Sequence, residues 1–394
     1  MAKRVEALVK PELLVWARET AGLSRDEASQ KMRIKVEKLE GWENGNNRPT
    51  VKQLRKLGQV YKRPIAVFYL PEKPLDFQPL RDFRRISRIF GFKNTAQLNF
   101  EIRRAGFRRQ AALNLLDDLN DKVPDLPFRL NISDDPETVG TKIREILKIS
   151  PEEQAEWSSD YQGFNRWRSA IEEAGTLVFQ SSRIDIEDMR GFAINQFPLP
   201  VIGLNIKDSP RGRIFTLLHE FTHILLGEGG ICDIKEYYDR HPAEQKFEIF
   251  CNHVAGAAIV PREQLLIVAD KPDIESWTDE ELTTLSKRFK ASKEVILRRL
   301  LINNRATEEF YQFKRKEFLK EYEKVKKKQE GFVPPYLKVI SGVGLTFLRL
   351  VLNGYHQEKI TSSDLSDYLE VNLKHLPKIE SEAVPKHPRF GAAY

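Results

Sequence analysis

Two histidines and a glutamate stand at His219, Glu220 and His223, inside the apolar run TLLHEFTHILLG at residues 216–227. Residues four apart in a helix share a face, so both imidazoles can point at one ion, with Glu220 about 100° round the turn. Neutral imidazoles are good ligands for a divalent metal, and a neighbouring carboxylate can take a proton from water. The spacing therefore describes a metal site with a base built in. Two hydrogen-bonded core histidines are the ordinary alternative, but the chain has only seven histidines in all. A third ligand decides more.

The candidates downstream are Cys232, Asp233, Asp239, His241, Glu244, Glu248, Cys251 and His253. Pro242 opens a second helical stretch, FEIFCNHVAGAAIVP, which ends by Pro261; on it Glu248 and Asn252 lie four residues apart on one face. Glu248 comes 25 residues after His223, room for one helix to end and another to return. A carboxylate there completes a two-His-plus-Glu zinc site with its fourth position open to water. Asn252 would then orient a ligand or grip substrate. Zn2+ held in this way keeps its Lewis acidity, polarises a carbonyl and lowers the pKa of its water towards ~7. Tyr237, Tyr238, His241 and His253 stand in the right segment to donate to a developing oxyanion.

These side chains need elements to hold them. Ser209 followed by Pro210 reads as N-cap and first position of the helix, and Gly227 as the residue that turns left-handed to end it. Short β-like runs precede it: TLVFQS at 176–181, MRGFAI at 189–194 and PVIGLN at 200–205. In the last, Ile202, Leu204 and Ile206 alternate with Val201, Gly203 and Asn205, the pattern of a half-buried edge strand. Such an edge beside a metal site could pair with an extended substrate peptide through Val201, Gly203 and Asn205. Cys232 and Cys251 are too few for a disulfide framework and read as small hydrophobes.

The segment RGRIFTLLHEFTHILLG, the strand PLPVIGLN before it and the ExxxN helix with its terminal proline resemble the ImmA/IrrE family of zinc metallo-endopeptidases. The resemblance implies a zincin-like, minigluzincin-type catalytic domain with His219, His223 and Glu248 on zinc and Glu220 as the catalytic acid/base. It also implies stress-response or mobile-element control circuits. Cys251, where the family commonly has alanine, and Ile-Val-Pro in place of Leu-Met-Pro touch no proposed ligand.

Ahead of this domain the chain has a different character. Residues 1–75 hold sixteen Lys and Arg against nine Asp and Glu, so the whole net charge of +7 resides there. Short helices are expected over 11–21, 25–31, 35–43 and 51–61, with Ser24 and Thr50 as caps. The run AGLSRDEASQKMRIKVEKLEGWENGNNRPT resembles the Xre/Cro-type helix-turn-helix. By that resemblance 35–43 is the recognition helix, and Arg25, Lys31, Arg33, Lys35, Lys38, Arg48 and Lys52 are the candidates for DNA. Glu37 and Glu40 on the same helix are awkward beside phosphate, so the module could instead grip a protein.

The expected architecture is mainly α with a small β-sheet (α+β): an all-α helix-turn-helix domain over 1–75, a helical connecting region over 76–136, the zinc metallopeptidase domain over 137–307, and a basic helix with a C-terminal helical domain and loose tail over 308–394. The segment 62–77 reads as a Pro-rich linker. No apolar run reaches membrane-span length and no signal peptide is visible, which places the chain in the cytoplasm. The expected function is a regulatory zinc endopeptidase that cleaves one protein, of repressor or antitoxin type; DNA and a homodimer are further expected partners. The competing reading is a DNA-binding regulator or toxin–antitoxin component that keeps the zincin fold as a non-proteolytic scaffold.

Overall fold

The computed structural model describes residues 6–74, 95–124, 126, 128–227, 231–232, 242–271, 276–325 and 333–383. The chain divides into two compact units, residues 1–107 with 183–189, and residues 108–182 with 190–394. In the first, helices α1 (Pro11–Thr20), α2 (Arg25–Met32), α3 (Val36–Glu43) and α4 (Val51–Tyr61) form a bundle. Capping boxes start two of them: Ser24 and Thr50 accept the backbone N–H of Glu27 and Gln53, whose side chains accept the cap N–H in return. Apolar side chains recurring at helical spacing, including Leu14, Ala17, Leu39, Trp42, Leu54, Leu57 and Tyr61, close one core. The expected linker at 62–77 begins as part of this core, because a 3-10 turn at Ile65–Tyr69 seats Phe68 with no exposure at all.

The second unit is built on a four-stranded sheet in the order β1-β3-β2-β4, with β1 (Leu177–Ser181), β2 (Gly191–Ile194), β3 (Val201–Asn205) and β4 (Ile231–Cys232). Strand β3 pairs in parallel with β1 and antiparallel with β2. This corrects the edge-strand expectation for Val201, Gly203 and Asn205: the strand is interior, its hydrogen-bonding groups are taken on both sides, and all five of its residues are buried. Gly203 leaves room for the Phe192 ring, whose nearest atoms lie 2.3 Å from where a Cβ would sit. Asn205 folds back to accept the backbone N–H of Lys207 at 3.0 Å.

The remaining helices in chain order are α5 (Thr95–Asp118), α6 (Pro136–Ile146), α7 (Pro151–Glu156), α8 (Asp160–Glu173), α9 (Pro210–Leu225), α10 (Pro242–Ile259), α11 (Arg262–Val268), α12 (Asp279–Phe289), α13 (Lys293–Ile302), α14 (Glu308–Val325), α15 (Pro335–Val343), α16 (Leu345–His356), α17 (Ser362–Leu369) and α18 (Leu376–Ala383). Helix α9 lies on β2 and β3, α10 crosses α9, and α6 packs along α10. The last pair can approach closely because Gly140 faces Ala257; a Cβ on Gly140 would come within 2.7 Å of the alanine's. The closing stretch 379–394, expected as a loose tail, is helical as far as Ala383, with Ile379 and Ala383 buried in α18, and its remainder lies outside the described residues. Among the described residues no single helix is long and apolar enough to cross a membrane; α15 and α16 reach that length only as a pair bent by 105°.

Candidate metal centre

Helix α9 starts as its sequence dictates. Ser209 accepts the N–H of Gly212, Pro210 occupies the first turn, and Gly227 beyond the last turn takes the left-handed conformation at φ 80°. Isoleucine, leucine and phenylalanine side chains bury the helix nearly all round, leaving His219 and Glu220 each 1% exposed. The Nε2 atoms of His219 and His223 stand 3.0 Å apart. From α10, Glu248 brings Oε2 to 3.4 Å from His219 Nε2 and Oε1 to 3.6 Å from His223 Nε2.

The separations test whether a cation fits. Ligand atoms ~2.0–2.1 Å from a tetrahedral ion lie about 3.3 Å from one another; the imidazole pair at 3.0 Å and the nearest carboxylate oxygen to each ring, a different oxygen for each, at 3.4 and 3.6 Å, fall near that value. One donor atom from each residue falls within 4.8 Å of the other two, the one such group among the described residues. Two imidazoles with one carboxylate suit a borderline ion such as zinc, whereas magnesium and calcium favour an all-oxygen shell.

Glu220 points from the same helix towards β2. A Cβ built on Gly191 would meet Glu220 Oε1 at 3.1 Å and Thr216 Cγ2 at 2.5 Å, so the carboxylate lies directly against strand backbone. Sequence reasoning passed over Gly191, although a glycine inside a strand often marks such a close approach.

The other candidates fall in different places. Asn252 is half-buried on α10, one turn beyond Glu248. His253 turns to Glu137 on α6, with Nε2 2.8 Å from Oε1. Cys251 is fully buried, as a small hydrophobe should be. Tyr237, Tyr238 and His241 lie outside the described residues, and so does the side chain of Cys232.

Glu137 also accepts from both terminal nitrogens of Arg299. Burial by itself would raise the Glu137 carboxyl, but the hydrogen bonds and charges of Arg299 and His253 outweigh it and hold the group down at about 2. A carboxylate depressed in the folded state contributes stability that is complete above its ordinary value, 4.5, and is lost as pH falls through the folded value. A Glu137→Gln chain is therefore expected to melt below the wild type at neutral pH, and the gap should close as melts are repeated from pH 4.5 down towards 2.

On the first unit, Lys31, Arg33, Lys35, Lys38, Arg48 and Lys52 are all exposed. Arg25, half-exposed, is committed to acids of α3: its Nε lies 2.8 Å from Glu43 Oε2 and its Nη1 3.3 Å from Glu40 Oε1. Glu43, the buried last residue of α3, is shared with Arg18 at 2.6 Å.

A largely buried His-His-carboxylate cluster across two helices, with a second glutamate one residue from the first histidine, suits a metal-dependent hydrolase. Residues 172–301 match the family model of the IrrE N-terminal-like domain, a peptidase family, and residues 14–68 match that of the helix-turn-helix. The matches thus run in the order helix-turn-helix, then IrrE/ImmA-like peptidase domain, a pairing that suggests a regulatory protease or a regulator. No curated protein and no solved structure matches the chain.

Proposed function

We propose that the chain is a regulatory zinc endopeptidase that cleaves a specific protein of repressor or antitoxin type, within a stress-response or mobile-element circuit. The observation that carries this reading is the meeting of His219, His223 and Glu248, one donor atom from each within 4.8 Å of the other two, with Glu220 buried beside them. Zinc, when bound by these three side chains, supplies Lewis acidity to the scissile carbonyl. Glu220 takes the proton from the attacking water and hands it to the leaving amine. Its 1% exposure keeps bulk water from competing for that proton. Gly191 holds the carboxylate in place from the strand side. Gly191→Val is expected to push Glu220 aside, leaving metal content unchanged while cleavage falls by up to ~10²-fold, the usual cost of a displacement near 1 Å.

The test is a comparison of protein N-termini in cells carrying the wild-type chain or Glu220→Gln. One or a few new termini that depend on Glu220 are expected. If every terminus is shared while a regulatory phenotype persists, the scaffold reading takes over.

The exposed cations of the helix-turn-helix favour a DNA-binding role for that domain, which would tether the peptidase near its circuit. Titrations with genomic fragments should show binding that weakens steeply with salt, and weakens further in Lys38→Ala and Arg48→Ala. Absence of binding even at low salt would leave a protein partner as the occupant.

A further inference from the structure

Helix α10, which carries Glu248, is fastened at its far end in a way its own sequence does not require. The last carbonyls of a buried helix need donors from elsewhere, and here three side chains from three other helices provide them. Arg144 of α6 donates to Ala258 O at 2.7 Å, Gln154 of α7 to Ile259 O at 3.0 Å, and Arg299 of α13 to Val260 O at 3.0 Å. Arg299 is the most deeply placed, 1% exposed. It passes over Gly256, where a Cβ would stand 3.2 Å from its Cδ, and ends as a two-pronged pair on Glu137. Glu137 in turn holds His253, a residue of α10 itself, at 2.8 Å.

The geometry points to Arg299 and Glu137 as positioning residues for Glu248: they fix how far α10 is rotated and how far it is advanced, and so deliver its carboxylate to the two imidazoles. The inference rests on the reading of His219, His223 and Glu248 as metal ligands. The two coordinates are held separately. The bond from Arg299 to Val260 O sets position along the axis, and the contact of Glu137 with His253, five residues on from Glu248 and about 140° round the helix, sets rotation. Rotation matters because a side-chain atom ~5–6 Å from a helix axis moves by about 1 Å for each ~10°. Metal–ligand distances tolerate only ~0.2 Å. A guanidinium is costly to bury, and leaving either partner alone would be worse, so the pair has few alternative arrangements.

The experiment uses the full chain, with zinc affinity read by competition against a chromophoric chelator and the site's geometry read from the visible absorption of bound cobalt(II). Arg299→Lys and Glu137→Gln are expected to weaken zinc binding by ~10–100-fold, the range for outer partners of metal ligands, and to alter the cobalt band. Leu282→Ala, a core truncation on α12, supplies a chain matched for lost stability; it is expected to lower the melting temperature and leave both readouts unchanged. Should the two variants bind zinc no worse than Leu282→Ala and give the wild-type cobalt spectrum, the positioning role is overturned. A wild-type chain that takes up neither ion would instead sink the ligand assignment on which it rests. If Glu137→Gln fails to fold, Arg299→Lys, which keeps the charge and loses the second prong, still decides the question.

Discussion

Glu220→Gln is expected to purify with the same metal content as the wild type and to cleave its protein substrate ~10²–10⁴-fold more slowly, the range that a positioned general base contributes. The substitution is close to isosteric, so it keeps the packing against Gly191 and removes only basicity. Because Glu220 stands one residue from His219, about 100° round α9, it is set aside from the ligand cluster, and its loss leaves the three donors intact. Metal analysis together with single-turnover cleavage checks both halves. Equal cleavage by the two chains would mean that another group moves the proton or that the fold serves as a scaffold.

Glu248→Ala tests the other half of the site. The remaining pair, His219 and His223, would offer two nitrogens from one helix, and zinc affinity is expected to fall by more than ~100-fold, beyond the figure for a ligand's outer partners. Cleavage should fall with it and recover only in part at high zinc. Equilibrium dialysis measures the affinity. Retention of wild-type affinity would mean that the carboxylate seen 3.4 and 3.6 Å from the two imidazoles is a neighbour and not a ligand.

The parts of this arrangement that could be read from sequence are those set by local rules. Ser209, Pro210 and Gly227 bound α9 through backbone chemistry within a few residues, and the four-residue spacing of His219 and His223 fixes their common face. Glu248 was legible because the helix between Pro242 and Pro261 offered few acids and the site wanted a third donor. What escaped was set by distant segments. The alternation in Val201–Asn205 describes which way side chains point, not how many strands lie alongside; the neighbours come from 177–181 and 191–194, and α15 packs against β1. Arg299 and Glu137 meet across 162 positions of sequence, with no local pattern to announce it. Gly191 did carry a signal, since a strand interior seldom spends a position on glycine without a reason.

The ion cluster of Arg18, Arg25, Glu40 and Glu43 changes what the front domain shows to a polyanion. By simple count, the three acids of α3 outnumber Lys38 on it and Lys35 at its cap and oppose a phosphate backbone. Folded, Glu43 is inside and Glu40 is matched by Arg25, so these two charges are met within the protein, while Glu37 stays exposed. The number of counterions released on contact with a nucleic acid would then be set by Lys31, Arg33, Lys35, Lys38, Arg48 and Lys52, with Arg25 contributing little.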